Sequence, residues 1–273
     1  MPAERLERTQ ALALENLTIT FVAQDGSRYT AVRDTTLRVA PGEFVSVVGP
    51  TGCGKSTLLN VAAGLLQPSA GRTSVFGEKL SGLNRKAGYL FQSEALMPWR
   101  TALRNVTAGL EFRGSDPAEA SRRAEEWLRR VGLGGFAGRY PHQLSGGMRK
   151  RVALAQALIL DPEILLMDEP FGALDIQTRH LMENELLELW SANRKSVVFI
   201  THDLEEAISL SDRVVVMSAG PESHLIGDFA IDLPRPRDVA EIRLTPRFIE
   251  LHGLIWHAMK EEVLKSYARQ QRQ

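Results

Sequence analysis

The chain has 273 residues, of which 44% are hydrophobic and 24% charged, the proportions of an ordinary globular protein. Its 33 basic and 33 acidic side chains give a formal net charge of zero, which argues against nucleic acid as the main partner because nucleic-acid-binding surfaces are usually basic. No apolar run approaches the roughly 20 residues of a membrane-spanning helix. The N-terminus lacks an apolar signal core, so we expect no secretion. A single cysteine, Cys53, excludes an intramolecular disulfide and fits a reducing cytosol.

The first 48 residues predict β-strands at 14–22, 36–39 and 44–48, and the third strand leads into a glycine-rich turn. Strand, turn and a following apolar helix are the context that a phosphate-binding P-loop of pattern G-x-x-x-x-G-K-[ST] requires. Backbone N–H groups of such a turn approach phosphate oxygens, and the helix directs its positive end at them. Lys55 is predicted to reach the β- and γ-phosphates and Ser56 to bind Mg²⁺. The predicted loop for a nucleoside triphosphate consists of Gly49, Pro50, Thr51, Gly52, Cys53, Gly54, Lys55, Ser56 and Thr57.

Cys53 lies just ahead of the predicted helix, a position that could lower the pKa of its thiol and make it a labelling target. The simpler interpretation is a small residue that fits a tight loop.

A polar hairpin through Gly71, Gly77 and Gly82 and a short strand at 89–91 come next. Gln92, just past that strand, is a weak signal by itself.

From about residue 97 to residue 160 the pattern becomes helical, with a helix start at Asp116-Pro117. Ser145 then precedes a strongly helical run at 149–160. Its hydroxyl can cap that helix, while Gly146 and Gly147 leave the first N–H groups bare. This arrangement is a candidate second anion site, although Ser-Gly-Gly alone is usually only a cap and a turn.

The segment 164–167 is fully apolar, as expected for a strand buried in a parallel sheet, and Asp168-Glu169 follows it directly. A carboxylate at that end of a strand faces the crevice where open α/β sheets bind ligands. Asp168 is therefore predicted to hold Mg²⁺ through water, and Glu169 to accept a proton from an attacking water or to orient it. His202 ends the next predicted strand, 196–200, beside the same site. A lone histidine there is more often a surface or capping residue.

A helix at 176–193 and strands at 196–200 and 214–217 continue the β-α-β alternation. The prediction is an α/β fold with a parallel-sheet core and an inserted helical subdomain. The predicted divisions are 1–95, 96–158, 159–233 and 234–273, the core ending where two prolines, Pro234 and Pro236, continue neither helix nor strand.

The tail from Phe248 carries a stripe at helical spacing, made of Leu251, Leu254, Ile255, Ala258, Met259 and Val263. An isolated helix of this length is marginal in water, so the stripe must be buried. We expect it to dock onto its own core, with the second subunit or a membrane protein as the alternative. Truncation after Asp238 is then expected to lower thermal stability and to leave the phosphate site intact.

Together these motifs resemble the nucleotide-binding subunits of ABC transporters over about residues 14–233. Six motifs in the family's order carry the resemblance: 49–57 (Walker A), Gln92 (Q-loop), 144–148 (signature), 164–168 with Glu169 (Walker B and catalytic glutamate), Ala173-Leu174-Asp175 (D-loop) and His202 (switch histidine). Met148 departs from the usual LSGGQ, a change we expect to be tolerated. The resemblance implies a P-loop NTPase (RecA-like) core with a mostly parallel sheet, an N-terminal antiparallel β subdomain and an inserted α-helical subdomain.

The resemblance also implies the chemistry: an ATPase with ATP and Mg²⁺ at the interface of a head-to-tail dimer. Its catalytic residues would be Glu169, His202 and Lys55, and its metal ligands Ser56, Gln92 and Asp168. Beyond the P-loop, ATP would be contacted by Phe21, Gln92, Ser145, Gly146, Gly147 and Asp175. Phe21 aligns best with the aromatic that stacks on adenine, with Tyr29 as runner-up. A core position for Phe21 is the alternative, because strands favour aromatics.

Segments 94–101, 144–151 and 233–238 resemble the ATPases of nitrate, sulfonate and taurine importers. A sugar-importer ATPase would carry a large C-terminal regulatory domain, which we do not expect here because about 40 residues follow Leu233. The implied partners are a second ATP-binding subunit, expected to form a homodimer, integral membrane permease subunits and, indirectly, an extracytoplasmic solute-binding protein, with no nucleic acid. The implied location is peripheral, at the cytoplasmic face of the cell membrane. Segment 95–99 would line the groove for a permease helix, although Leu96 and Trp99 could instead pack within the helical subdomain.

The alternative from another class is a soluble ABC ATPase that acts on nucleic acid or ribosomes. Such proteins usually carry two cassettes, long coiled coils or basic extensions, and this sequence shows none of them. A P-loop kinase or other non-transport NTPase would not explain the signature-like segment or His202.

Overall fold

The computed structural model describes residues 10–93, 95–172 and 174–270. In chain order the strands are β1 (Leu12–Val22), β2 (Arg28–Val39), β3 (Phe44–Val48), β4 (Ala70–Val75), β5 (Glu78–Lys79), β6 (Ala87–Leu90), β7 (Ile164–Asp168), β8 (Ser196–Ile200), β9 (Arg213–Met217) and β10 (Leu225–Ala230). The α-helices are α1 (Lys55–Ala62), α2 (Ala102–Phe112), α3 (Pro117–Arg130), α4 (Gly146–Leu158), α5 (Ile176–Asn193), α6 (Leu204–Leu210), α7 (Val239–Ile242) and α8 (Pro246–Gln270).

The strands form two sheets. One is antiparallel with the order β2-β1-β4-β5, and the other has six strands in the order β10-β9-β3-β8-β7-β6. All neighbours in the larger sheet are parallel except β10, which runs antiparallel to β9. Every residue of β3, β7 and β8 is buried, which explains their uninterrupted apolar sequences. The predicted fold class is confirmed.

Several element bounds differ from the sequence-based ones. The strand predicted at 36–39 begins at Arg28, because the polar first half of β2 pairs with the end of β1, Val22 opposite Arg28. The strand predicted at 89–91 spans Ala87–Leu90. Strand β10 and helices α6 and α7 were not predicted. In β10, partly and fully exposed residues alternate, so the strand lacks the apolar run that marks its neighbours.

The helices inserted between β6 and β7 have a core of their own. Asp116 accepts a hydrogen bond from Glu119 N–H, and Pro117 is the first residue of α3, as expected. The buried side chains of this cluster come from α2, α3, α4 and the turns between them: Ala102, Val106, Leu110, Ala120, Ala124, Leu128, Val131, Leu133, Leu144, Val152, Ala155 and Ile159. The four domain divisions stay predictions.

The tail forms the long helix α8, which packs on the core beside α6 and β9. Phe248, Leu251, Ile255 and Met259 are buried. Leu254 is 52% exposed, so its assignment to the buried stripe was wrong. The contact is narrower than the apolar pattern because the core touches the row 251, 255, 259, whose members lie four residues apart. No helix in the described ranges is long and apolar enough to cross a membrane.

Truncating the buried Ile255 should destabilise the protein far more than truncating its exposed neighbour. We expect Ile255→Ala to lower the free energy of unfolding by about 2–5 kcal/mol, through lost burial and a cavity. Leu254→Ala, on the same helix, should change it by about 0.5 kcal/mol or less. Urea unfolding monitored by circular dichroism measures both. Equal losses would contradict the docking of this face.

Candidate nucleotide site

The site forms where four neighbouring parallel strands end. β3, β8, β7 and β6 lie side by side in the larger sheet, so their carboxyl ends meet at one edge. The P-loop follows β3 and His202 follows β8. Asp168 is the last residue of β7, Glu169 comes next, and Gln92 lies two residues beyond β6. Residues as far apart in the sequence as Gly49 and His202 are thereby brought to one place.

The P-loop turns directly into α1. Gly54 precedes the helix with φ +96°, and a Cβ atom there would lie 2.8 Å from Val32 Cγ2, so only glycine fits without strain. Within this fully described helix, no side chain caps the N-terminus and no acidic residue lies in the first turn. The free N–H groups and the helix dipole therefore favour an anion.

Lys55 and Ser56, the first residues of α1, make two well-defined contacts. The buried Lys55 Nζ donates to the carbonyl oxygens of Gly49 at 2.9 Å and Pro50 at 3.1 Å. Ser56 Oγ donates to Asp168 Oδ1 at 3.0 Å. Burial raises the pKa of Asp168, and the nearby Glu169 adds to this, while Ser56 and Lys55 oppose it. A hydroxyl beside a carboxylate is an oxygen donor set that suits Mg²⁺.

Glu169 lies between two polar side chains. Its Oε2 is 3.1 Å from Gln92 Nε2 and 3.2 Å from His202 Nδ1. Its backbone has φ +43°, a region that non-glycine residues rarely adopt and that is common at functional sites. Its neighbours therefore orient the Glu169 carboxylate. In that position the carboxylate can orient a bound water and accept a proton from it.

These residues line a cavity of about 470 Å³. Its lining consists of Phe21, Tyr29, Ala31, Thr51, Gly52, Cys53, Gly54, Lys55, Ser56, Thr57, Gln92, Glu169 and His202. Phe21 and Tyr29 lie opposite each other on β1 and β2, 42% and 50% exposed. A core position for Phe21 is thus excluded, and both aromatic candidates lie on the same cavity wall. Asp168 is buried behind Ser56.

The signature-like residues lie in a different cavity. Ser145, Gly146, Gly147 and Asp175 line a space of about 510 Å³ that contains no P-loop residue among its lining. Ser145 Oγ caps α4 by accepting from Met148 N–H at 3.2 Å. Ala173, the first residue of the predicted D-loop, lies outside the described residues, as does Glu94. Within one chain, the two predicted anion sites are therefore separate.

Gly49 and Pro50 are also absent from the 470 Å³ cavity. They line a second space of about 300 Å³ on the other side of the loop, facing the tail helix. Sequence reasoning did not find the residues that support the P-loop from this side. Their contacts join positions far apart in the chain, such as Ser223 with Cys53, and no local pattern marks them.

The suggestion that Cys53 has a lowered thiol pKa was wrong. Cys53 is 1% exposed, and burial raises the pKa of its thiol more than the nearby Lys55 lowers it. The side chain packs into the core between the sheets. Cys53 is thus a small buried residue of a tight loop rather than a labelling target.

The comparisons with known proteins agree with this geometry. The model of the ABC transporter family matches residues 32–172. The chain belongs to this family. An uncharacterized ABC transporter ATP-binding protein of Methanocaldococcus jannaschii is 48% identical over 255 residues, covering 93% of each chain.

Other relatives include import proteins. The taurine import ATP-binding protein of Pelagibacter ubique is 40% identical over 93% of this chain and 97% of its own. The nitrate import ATP-binding protein of Synechococcus elongatus is 38% identical over 92% of this chain, but only 38% of the relative is covered. A solved dimeric ATP-binding cassette in a post-hydrolysis state with ADP and Pi is 34% identical, with a TM-score of 0.73 over 82% of this chain and 100% of that one. The chain is an ABC ATPase with a P-loop NTPase fold.

A buried acidic cluster lies behind His202. Glu206 is 3% exposed and accepts a hydrogen bond from Thr201 Oγ1. Burial raises the pKa of Glu206 to about 8, with contributions from Glu183 and Asp203. Burial likewise raises the pKa of Glu183 to about 7. At neutral pH the folded protein therefore keeps Glu206 largely protonated and Glu183 about half protonated, whereas both are ionised in the unfolded chain.

This cluster should make stability fall as pH rises. The ordinary pKa of Glu206 is 4.5, against about 8 in the fold. Between these values the folded state keeps a proton that the unfolded state has lost, so each step up in pH favours unfolding. Glu206→Gln removes the ionisable group, and we expect a shallower loss of stability between pH 5 and pH 8.

Urea unfolding over that pH range, compared with wild type, measures the change in slope. Glu205→Gln is the matched control, because Glu205 lies next in sequence on α6 with a side chain 53% exposed. Identical slopes for wild type and Glu206→Gln would contradict the raised pKa.

Proposed function

We propose that this chain is the ATP-hydrolysing subunit of an ABC importer, coupling ATP binding and hydrolysis in a head-to-tail dimer to uptake of a small solute through a membrane permease. One observation carries the proposal: Lys55, Ser56 and Glu169 line one cavity at the ends of four parallel strands, with Asp168 bonded to Ser56 directly behind it. The import proteins for taurine, nitrate and bicarbonate among the relatives support the direction of transport.

The cavity suits ATP along its length. The base would stack on the aromatic wall of Phe21 and Tyr29, and the phosphates would lie on the P-loop amides with Lys55 turned toward them. Ser56 and Asp168 would hold Mg²⁺, with Gln92 nearby, and the ion would neutralise charge on the phosphates. The bond between Ser56 and Asp168 keeps both oxygens in place for this task.

Glu169 is the proposed catalytic base. Its carboxylate would orient the attacking water and accept its proton, while Gln92 and His202 keep the carboxylate aimed into the cavity. A charged Glu169 and the buried Asp168 both repel phosphate, which Lys55 and the helix N-terminus offset.

The second copy would complete the site. Ser145, Gly146 and Gly147 form the N-terminus of α4, which Ser145 caps, away from the P-loop of their own chain. A two-fold dimer places such a helix end against the partner's γ-phosphate and creates two equivalent composite sites. Asp175, at the start of α5 in the same cavity, would approach the nucleotide in the same way. A solved relative, an ATP-binding cassette with ADP and Pi, is dimeric, which supports the pairing of two chains.

Replacing Glu169 tests the chemical assignment. Glu169→Gln should bind ATP with affinity near that of wild type, because the amide keeps the shape of the side chain. Its steady-state ATP hydrolysis should fall by about 100-fold or more, since the base is lost. Phosphate release measures turnover, and size-exclusion chromatography with ATP should show a trapped dimer. Near-normal hydrolysis would refute the role of Glu169.

A double variant provides the control for the dimer. Adding Ser145→Arg to Glu169→Gln places a bulky cation at the end of α4 and should abolish the ATP-dependent dimer. Binding of ATP to the monomer should be unchanged. If Ser145→Arg abolished ATP binding by the monomer, the site would not be shared between two chains.

The permease contact is proposed for segment 95–99, between β6 and α2. Trp99 is 74% exposed, whereas Leu96 is partly buried against the inserted helices. An exposed tryptophan beside a half-buried leucine suits an apolar helix of a membrane subunit better than internal packing. This contact would hold the chain peripherally at the cytoplasmic face of the membrane, with the solute-binding protein engaged only through the permease. The proposed solutes are small and polar, of the nitrate, sulfonate and taurine class.

Detergent purification tests the importer assignment. Native protein should co-purify with an integral membrane protein, and Trp99→Ala should reduce the recovered permease several-fold without changing basal ATPase activity. Phe112→Ala is the matched control, because Phe112 is 80% exposed on α2. Hydrolysis stimulated by nucleic acid or ribosomes, without a membrane partner, would instead favour the soluble alternative.

A further inference from the structure

A short connector between β9 and β10, residues 218–224, contacts three parts of the molecule. It is closed at its base by two hydrogen bonds, from Ser218 N–H to His224 O at 2.9 Å and from His224 N–H to Ser218 Oγ at 3.0 Å. A loop tied at both ends moves as a unit, so a contact at one side of it restrains the other.

The connector supports the P-loop directly. Ser223 Oγ donates a hydrogen bond to Cys53 O. Gly220 lies so close that a Cβ atom on it would be 3.3 Å from Gly52 O and 3.7 Å from Cys53 Cα. The backbone of the phosphate loop therefore rests on the connector.

The connector is also joined to the strand that carries Tyr29. Glu222 N–H donates to Thr30 O at 2.8 Å, and Ser223 N–H donates to Ala31 O at 3.1 Å. Arg33 N–H donates a hydrogen bond to Ser223 O at 3.0 Å. The connector thus links the strand of the aromatic wall to the phosphate loop, and we infer that its position influences the spacing between them.

The tail helix α8 fixes the connector through one residue. Glu262 Oε2 accepts from Ala219 N–H at 2.7 Å, and Glu262 Oε1 pairs with Lys265 Nζ at 2.5 Å, with the glutamate side chain 12% exposed. Burial opposes ionisation, but these two hydrogen bonds hold the pKa of Glu262 below its usual value. Above that lowered pKa the side chain is a charged acceptor, which makes a stronger bond than a neutral one.

Helix α8 also faces the P-loop across a cavity. Trp256, Met259, Val263, Ser266 and Tyr267 line the space of about 300 Å³ whose other wall is Gly49, Pro50, Thr51 and His202. The expectation that the tail can be removed without affecting the phosphate site treats the two as separate. In the structure they share a cavity and a hydrogen-bonded connector.

We propose that Glu262 is a positioning residue for the nucleotide: through the connector it holds the P-loop and the Tyr29 strand at the spacing that a bound nucleoside triphosphate requires. The inference rests on the proposed function, because it assumes that ATP spans this cavity. Without the carboxylate, Ala219 N–H loses its acceptor and the connector is free to shift. A ligand that contacts both ends of the cavity then binds less well than one that contacts the phosphate loop alone.

The test is Glu262→Ala in the full-length chain, with ATP and inorganic triphosphate as probes. We expect the Kd and KM for ATP to rise about three- to tenfold, the effect of losing one ordinary hydrogen bond, because the bond to Ala219 acts on the nucleotide only through the connector. The kcat should stay within about twofold of wild type, and the Kd for inorganic triphosphate should change less than that for ATP. Glu262→Gln, which keeps a carbonyl acceptor, should restore most of the ATP affinity.

Two controls separate positioning from general damage. Glu261→Ala removes an exposed glutamate next to Glu262 on α8 and should behave as wild type. Lys265→Ala removes the ion pair but keeps the bond to Ala219 and should also leave the ATP Kd unchanged. Equal losses for ATP and inorganic triphosphate, or loss in Glu262→Gln as large as in Glu262→Ala, would overturn the proposal.

Failure of this inference is distinguishable from failure of the proposed function. If wild type hydrolyses ATP and Lys55→Ala does not, while Glu262→Ala binds ATP as wild type does, only the role of Glu262 is refuted. If wild type neither binds nor hydrolyses ATP, the proposed function itself is refuted.

Discussion

The parallel pairing of β3, β8, β7 and β6 is the constraint on which the rest of the site depends. β3, β7 and β8 are buried throughout, alternate residues of β6 are buried, and each strand pairs in register with its neighbour, as in Asp168 opposite Ile200. The carboxyl ends of parallel strands meet at the same edge of the sheet, so the side chains at that edge lie close together. Backbone hydrogen bonds of the sheet therefore bring the polar residues together, and their own contacts, such as Ser56 with Asp168, then orient the side chains.

At this edge of the sheet, the charged side chains of Lys55 and Asp168 are buried. Burial makes ionisation of Asp168 costly, and the cost is offset by the Ser56 hydroxyl and by Lys55. Lys55 donates to two loop carbonyls, and binding of an anion would exchange those contacts for contacts with phosphate. The same loop keeps its shape because Gly54 packs against Val32 and Cys53 packs into the core.

The inserted helices have a hydrophobic core of their own. Helix α4 also packs Ala153, Leu154, Ala157 and Leu158 against the larger sheet, so it couples the inserted helices to that sheet. Gly147 lies where a Cβ atom would be 2.9 Å from Thr178 Cγ2, so the signature-like segment packs tightly on the start of α5. The end of α4 and the start of α5 thus present one continuous surface on the side away from the chain's own P-loop.

The sequence by itself determined which residues are candidates for the chemistry and most of the elements that hold them. Strands with uninterrupted apolar sequences can be predicted because both of their faces are buried. The P-loop can be predicted because glycines, lysine and serine occupy fixed positions between a strand and a helix. The bounds of α5 and β8 were predicted to the residue. Strand β10 and the first half of β2 were not found, since half-exposed strands carry mixed sequences.

Only the tertiary structure decided what touches what over long separations. It showed that Glu169 contacts both Gln92 and His202, that Phe21 and Tyr29 share a wall, and that Leu254 faces solvent while Ile255 is buried. It also reversed the expected effect on the Cys53 thiol, because a position near a helix end predicts a lower pKa and burial predicts a higher one. Burial and distant hydrogen bonds depend on how the whole chain packs, and such contacts leave no periodic pattern in the local sequence.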